Sequence, residues 1–227
     1  MGSEMCIRDR NKQVDGVIYM SNRLSDEAAD AFKRTDTPVV LAGTKDNRDD
    51  FASVTIDYKK ADTEALNLMY HDGKKHLGIV VGDQDAVVNS ENRIPAYEEF
   101  MEENDLGTPR IYTDIKDYSD GYNLYPQLVK DGVDGVIVTR DISSVGILNS
   151  AMDAGKKVPE DLEIVTASAT QLASVVRPAL TTIKQPLYDM GAVAMRMLTK
   201  LMNNEEVDDT HIVLPYELVK KQSTLNQ

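Results

Sequence analysis

Tryptophan is absent from this 227-residue chain, and aromatic residues of all kinds make up only 6% of it. That is thin for a surface that stacks on sugar rings. A single cysteine, Cys6, excludes an internal disulfide and a thiolate metal site, and fits a reducing compartment. No apolar run approaches the roughly 20 residues needed to span a bilayer, and mean hydropathy is −0.37. Basic residues are the minority: 25 Lys and Arg face 38 Asp and Glu, a formal net charge of −13. A chain so acidic does not hold a polyanion through its overall field. Any contact with DNA therefore needs a segment outside this sequence.

Chemistry-bearing patterns are also missing. The three histidines, His71, His76 and His211, do not share metal-binding spacing with another ligand. There is no nucleophile elbow, no phosphate-cradling glycine loop and no dinucleotide fingerprint. The chain is accordingly read as non-enzymatic, with no catalytic residue, no cofactor and no metal ligand assigned. Residues 1–10 show neither helical nor strand periodicity and no charged-then-apolar export signal, so they read as a non-native leader.

What the sequence does contain is alternation. Short β-branched runs at 14–20, 38–42, 53–56, 77–82, 110–113, 133–139 and 162–166 read as strands buried on both faces. Helical patterns separate them. Ser25 caps one through about 33. Residues 59–71 place Ala61, Ala65, Leu68 and Met69 on one side, with Gly73 as the stop. Helices follow at 91–103, at 120–130 (capped by Ser119, stopped by Gly132) and at 144–154 (capped by Ser143, followed by Gly155). Strand, helix, strand, helix means βαβ units and an α/β architecture. The pentapeptide Val14-Asp15-Gly16-Val17-Ile18 recurs as Val133-Asp134-Gly135-Val136-Ile137. The echo has two readings: chance among Val- and Ile-rich strands, or two lobes built on one local plan.

Polar residues gather where strands end. Asp57 follows Ile56, Arg93 lies beyond the loop leaving Gly82, Arg140 and Asp141 close the run at 133–139, and Ser168 lies past Thr166. A crevice for small ligands forms at such strand C-termini, though loop charges are as readily just solvated. The segment 185–203 is the most distinctive. Pro186 fits a first helical turn, and Leu187, Met190, Ala194, Leu198 and Leu201 form an apolar stripe. Asp189, Val193, Arg196 and Lys200 fall on another face, bordered by Met197. Arg196 and Lys200, one turn apart, could clamp a phosphate or could simply be a solvated basic turn at a helix C-terminus.

Several of these segments resemble one family. The run 177–186, Arg177-Pro178-Ala179-Leu180-Thr181-Thr182-Ile183-Lys184-Gln185-Pro186, resembles the segment before the last helix of LacI/GalR-type transcriptional regulators. Residues 158–165 resemble one of their strands, and Gly82 with Asn92-Arg93 resembles their effector loop. The segment 188–202 resembles more specifically the catabolite-control branch of that family. The resemblance implies a two-lobed, periplasmic-binding-protein-like core of type I, with parallel sheets flanked by helices and an incomplete N-terminal lobe. It implies residues 11–57 and 184–206 in the N-terminal lobe, 58–183 and 207–222 in the C-terminal lobe, and 223–227 as a tail. It further implies a cytoplasmic homodimer that reads operator DNA through a headpiece absent from this chain. The implied corepressor is the phosphocarrier HPr phosphorylated on a serine, docked on Tyr188, Asp189, Val193, Arg196, Met197 and Lys200. The implied effector cleft holds Asp57, Arg93, Arg140, Asp141 and Ser168. There the chain departs from the family: Ser168 stands where sugar-responsive members have an Asp. That weakens binding of a neutral sugar and leaves a phosphorylated sugar, held by Arg93 or Arg140, as a weak adjuvant. The competing readings are a sugar-responsive repressor and a periplasmic sugar-binding protein of the same fold.

Overall fold

The computed structural model describes residues 14–21, 24–35, 37–46 and 48–225. The leader assigned to 1–10 lies outside the described residues. The chain divides into two compact units, one comprising Met1–Asp57, Ala86–Val88 and Pro186–Pro215, the other Tyr58–Asp85, Asn89–Gln185 and Tyr216–Gln227.

The first unit is a four-stranded, all-parallel sheet. Its strands are β1 (Val17–Tyr19), β2 (Val39–Ala42), β3 (Ala52–Ile56) and β9 (His211–Leu214), in the order β1-β2-β3-β9. Every residue of β2 and β3 is buried, as their apolar runs anticipate. Helix α1 (Asp26–Thr35) covers one face with Ala28, Ala29 and Phe32, which meet Val39, Leu41 and Phe51. Helix α7 (Leu187–Met202) packs on β1, β2 and β3 through Met190, Ala194, Met197 and Leu198.

The second unit is a six-stranded sheet in the order β10-β8-β7-β6-β4-β5. Five strands run parallel: β4 (Leu77–Val80), β5 (Ile111–Tyr112), β6 (Gly135–Val138), β7 (Glu163–Thr166) and β8 (Thr181–Lys184). The edge strand β10 (Glu217–Val219) is antiparallel to β8. Helices α2 (Tyr58–His71) and α3 (Ile94–Glu103) pack together, as do α4 (Tyr118–Lys130) and α5 (Asp141–Asp153); α6 (Leu172–Val175) is a single turn. A π-helical turn at Asn89–Arg93 leads into α3.

Helix starts depart from the expected ones. Asp117, not Ser119, caps α4: its carboxylate accepts from the Asp120 amide at 2.9 Å, and Asp120 accepts back from the Asp117 amide at 3.2 Å. Two carboxylates three apart satisfy two orphan amides at once, which a lone serine cannot do. Helix α5 begins at Asp141, and Ser143 is buried inside it rather than capping it. The stop at Gly132 holds, with a φ of +71° that only glycine adopts without cost. Strands β8, β9 and β10 and helix α6 are too short or too polar for periodicity to reveal.

Two implied boundaries are corrected. β9 pairs with β3 from Ser53↔His211 to Ile56↔Leu214, which puts 207–215 in the first unit and not with 58–183. Residues 223–225 are not a tail. Ser223 and Thr224 are fully buried; the Ser223 hydroxyl donates to the Ile164 carbonyl and accepts from the Thr181 amide, knitting β7 to β8. The echoed pentapeptide marks a strand in each unit. In both copies the glycine admits a leucine and a methionine: a Cβ on Gly16 would meet Leu198 Cδ1 and Met202 Sδ at 2.9 Å, and one on Gly135 would meet Leu77 Cδ2 at 2.8 Å and Met69 Sδ at 3.1 Å.

Candidate functional site

In the second unit the C-terminal ends of β4, β6 and β7 bring together Gly82, Arg140, Asp141 and Ser168. Arg140 is exposed, and its side chain lies across the end of β4, where a Cβ on Gly82 would meet its Cδ at 3.1 Å. The Ser168 hydroxyl donates to the Thr139 carbonyl at 2.8 Å. Asp141 is buried, and both its oxygens are engaged: one accepts from the Thr166 hydroxyl, the other from the Thr170 amide, each at 2.5 Å. Those two bonds clasp the loop around Ala169, whose φ of +53° is left-handed. Asp141 thus shapes the strand-end loop, and Arg140 is the group of the set that projects outward. Asp57 is exposed and closes the first unit's β3, so it belongs to a different unit from the other four.

Arg93 departs from its expected role as an outward phosphate anchor. It is only 4% exposed, and its Nη1 donates to both oxygens of Asp62, at 2.6 and 2.9 Å. Asp62 is fully buried on α2 among Tyr58, Ala61, Ala65 and Leu66. Burial pushes its carboxyl above the usual carboxylate range, and the Arg93 charge opposes that rise. The guanidinium also lies over the Tyr58 ring, 5.0 Å from its centroid. Tyr58 donates to Gln185 Oε1 at 3.4 Å, and Gln185 Nε2 donates to the Ala167 carbonyl at the end of β7. A polar chain therefore runs from Asp62 through Arg93, Tyr58 and Gln185 to the strand ends. Sequence reasoning misses Asp62, Tyr58 and Gln185. The signal for Asp62 is a carboxylate on the apolar face of α2, one turn after Tyr58 and next to Ala61.

In the first unit α7 presents Tyr188, Asp189 and Arg196 outward, with Tyr188 87% exposed and Val193 half-buried. Arg196 makes no ion pair among the described residues. Lys200, one turn on, lies 3.8 Å from the exposed Asp208 carboxylate and 3.4 Å from the Glu206 carbonyl. Met197 does not border this face. It is 3% exposed and belongs to the inward stripe with Met190, Ala194 and Leu198, whereas Leu187 is 55% exposed and leaves that stripe. Met197 lies seven residues after Met190, two turns on, and that alignment carries it under the helix.

Comparison with known proteins adds the lineage. Residues 66–224 match the model of the periplasmic binding protein-like domain. Over 217 residues the chain is 71% identical to the HTH-type transcriptional regulator pepR1 of Lactobacillus delbrueckii subsp. lactis, covering 96% of this chain and 65% of that protein. Catabolite control protein A of Streptococcus mutans is 38% identical over 217 residues, covering 94% of this chain and 64% of that protein. The chain thus spans somewhat under two thirds of the length of these curated relatives. The crystal structure of transcription regulator CcpA of Lactococcus lactis superposes with a TM-score of 0.93 at 35% identity, covering 98% of this chain and 83% of that one. With its parallel-sheet units and these relatives, the chain belongs to the periplasmic binding protein-like domain family, in the branch of LacI-type transcription regulators close to catabolite control protein A.

Proposed function

We propose that this chain is the effector-binding and dimerisation core of a LacI-family regulator of carbon catabolite control, whose corepressor is serine-phosphorylated HPr docked on α7. The observation that carries this reading is Arg196. It is an exposed guanidinium with no ion-pair partner among the described residues, one turn from Lys200 and on the same helix as the outward Tyr188. A phosphoserine brings a charge of about −1.5 to −2 and three acceptor oxygens. A guanidinium and an ammonium four residues apart meet such a group from two sides. Tyr188, Asp189 and Val193 supply the surrounding contact surface, without the buried Met197. Lys200 must exchange its long contacts with Asp208 and Glu206 for the phosphate, a small cost because the pair is exposed.

In this reading DNA is bound by the part of the full-length protein corresponding to the third of the relatives that this chain does not span. The strand ends of the second unit hold a small polar ligand, and two copies form the working dimer. The ligands act by binding one lobe arrangement better than another, a population shift passed to the DNA-binding part.

Calorimetry of the full-length protein with phosphorylated HPr tests the docking assignment. Arg196→Ala with Lys200→Ala removes two charge-assisted hydrogen bonds of about 1.5 kcal/mol or more each, so affinity should fall on the order of a hundredfold. Unchanged affinity would remove α7 as the docking surface.

A further inference from the structure

The buried pair at the start of α2 bears on which ligands the second unit accepts. We propose that Asp62 is a specificity determinant of the strand-end site: it holds Arg93 as an internally neutral pair, leaving that part of the site to uncharged, hydroxyl-bearing groups and closing it to phosphate. The inference rests on the reading that these strand ends bind a small ligand.

Nη1 of Arg93 is within hydrogen-bond distance of both Asp62 oxygens, Arg93 is 4% exposed, and Asp62 is fully buried. A phosphate drawing Arg93 away would strand the Asp62 charge inside the unit, where an uncompensated ion is strongly unfavourable. A phosphate approaching Arg93 in place would also feel the Asp62 carboxylate, 2.6 Å from Nη1. The guanidinium also lies over the Tyr58 ring, which Gln185 ties to the end of β7. These contacts link Arg93 to the end of β7 through Tyr58 and Gln185, while its charge is already paired. The surroundings do not restore it. Asp83 and Asp85 follow Gly82 on the loop leaving β4, Lys116 lies near Asp83 but is paired with Asp114, and Arg140, between β6 and α5, is an exposed cation at these strand ends. An uncharged hydroxyl asks only for a hydrogen bond, and the paired guanidinium can donate one without surrendering Asp62.

Nuclear magnetic resonance of the arginine-labelled protein, titrated with inorganic phosphate at constant ionic strength, tests this directly. In the unsubstituted protein the Arg93 guanidinium signal should stay in place to tens of millimolar phosphate. In Asp62→Asn, which keeps the side-chain shape and one carbonyl acceptor, the same signal should move, with apparent affinity at least tenfold tighter. The neutral pair Asp62→Asn with Arg93→Gln, which has no Arg93 guanidinium and is followed by its backbone amide signals, should lose that gain. Movement of Arg93 in the unsubstituted protein at low millimolar phosphate overturns the proposal. So does a folded Asp62→Asn protein, checked by circular dichroism, that responds no more than its parent, or a gain that survives in the double variant. If Asp62→Asn does not fold, the unsubstituted titration still decides. Failure to find any natural small ligand would count against the strand-end reading but leave these phosphate responses interpretable.

Discussion

Glu163 opens β7 as a fully buried carboxyl, and its Oε1 accepts the Leu225 amide at 2.7 Å. Burial raises its pKa to about 8, the Leu225 amide works against the rise, and nearby Asp72 adds to it. The folded chain therefore holds a proton there that the unfolded chain releases near pH 4.5. With the folded value above the unfolded one, the contribution is fully present below about pH 4.5 and is lost as pH rises towards about 8. Urea denaturation at pH 5, 7 and 8.5 should show stability falling across that window. Glu163→Gln keeps an acceptor for Leu225 and cannot ionise, so its curve should be flatter over the same range. An equally steep curve would place the titrating group elsewhere. Asp62 and Arg93 teach a complementary lesson. A charged residue at a strand end reads as a ligand contact until a partner 31 positions away claims it.

At the scale of elements, α4 and α5 meet more closely than any side chain would allow. A Cβ on Gly121 would run into the Ser143 carbonyl of α5, and one on Gly146 would run into the Tyr118 carbonyl of α4. Gly121→Ala should thus force the helices apart and cost more than the 1–3 kcal/mol or so typical of overpacking, because the obstacle is backbone. Gly191, in the second turn of α7, has nothing within 4 Å of where its Cβ would stand. There the same substitution should stabilise by about 0.5–1 kcal/mol through helix propensity. Thermal melts of the two variants should move in opposite directions. Asp117→Ala removes half of the capping box on α4 and should cost about 1 kcal/mol. Stops are more legible than starts in this chain. Gly132 announces itself, whereas the choice between Asp117 and Ser119 depends on which carboxylate reaches which amide.

Across the whole molecule the chain leaves one unit and returns to it, so neither unit is a single continuous segment. The last described residues close the second unit. Ser223 binds β7 and β8 from between them, and Leu225 caps the Glu163 carboxyl. Removing residues 222–227 should lower the melting temperature by several degrees, since at least three buried hydrogen bonds are lost together. A truncated chain melting with its parent would reduce that segment to decoration. The α/β class, seven of the ten strands among the described residues and the principal helices are legible in the sequence, because runs buried on both faces and stripes at helical spacing are local consequences of burial. The buried strands β2, β4, β6 and β7 all fall within the predicted runs.

By itself, then, the sequence determined the alternation of strands and helices, the lack of a disulfide framework, the acidic surface and the family resemblance, each carried by local pattern or by composition. Only the tertiary structure decided that β9 joins β3 across 158 positions, that Met197 faces inward, that 223–225 is hydrogen-bonded to β7 and β8, and that Arg93 is held by Asp62. Periodicity records which face of an element is buried, but not which distant element buries it. Pairing across long separations is chosen by packing and by the cost of leaving a charge or an amide unsatisfied, and those terms exist only once the chain is folded.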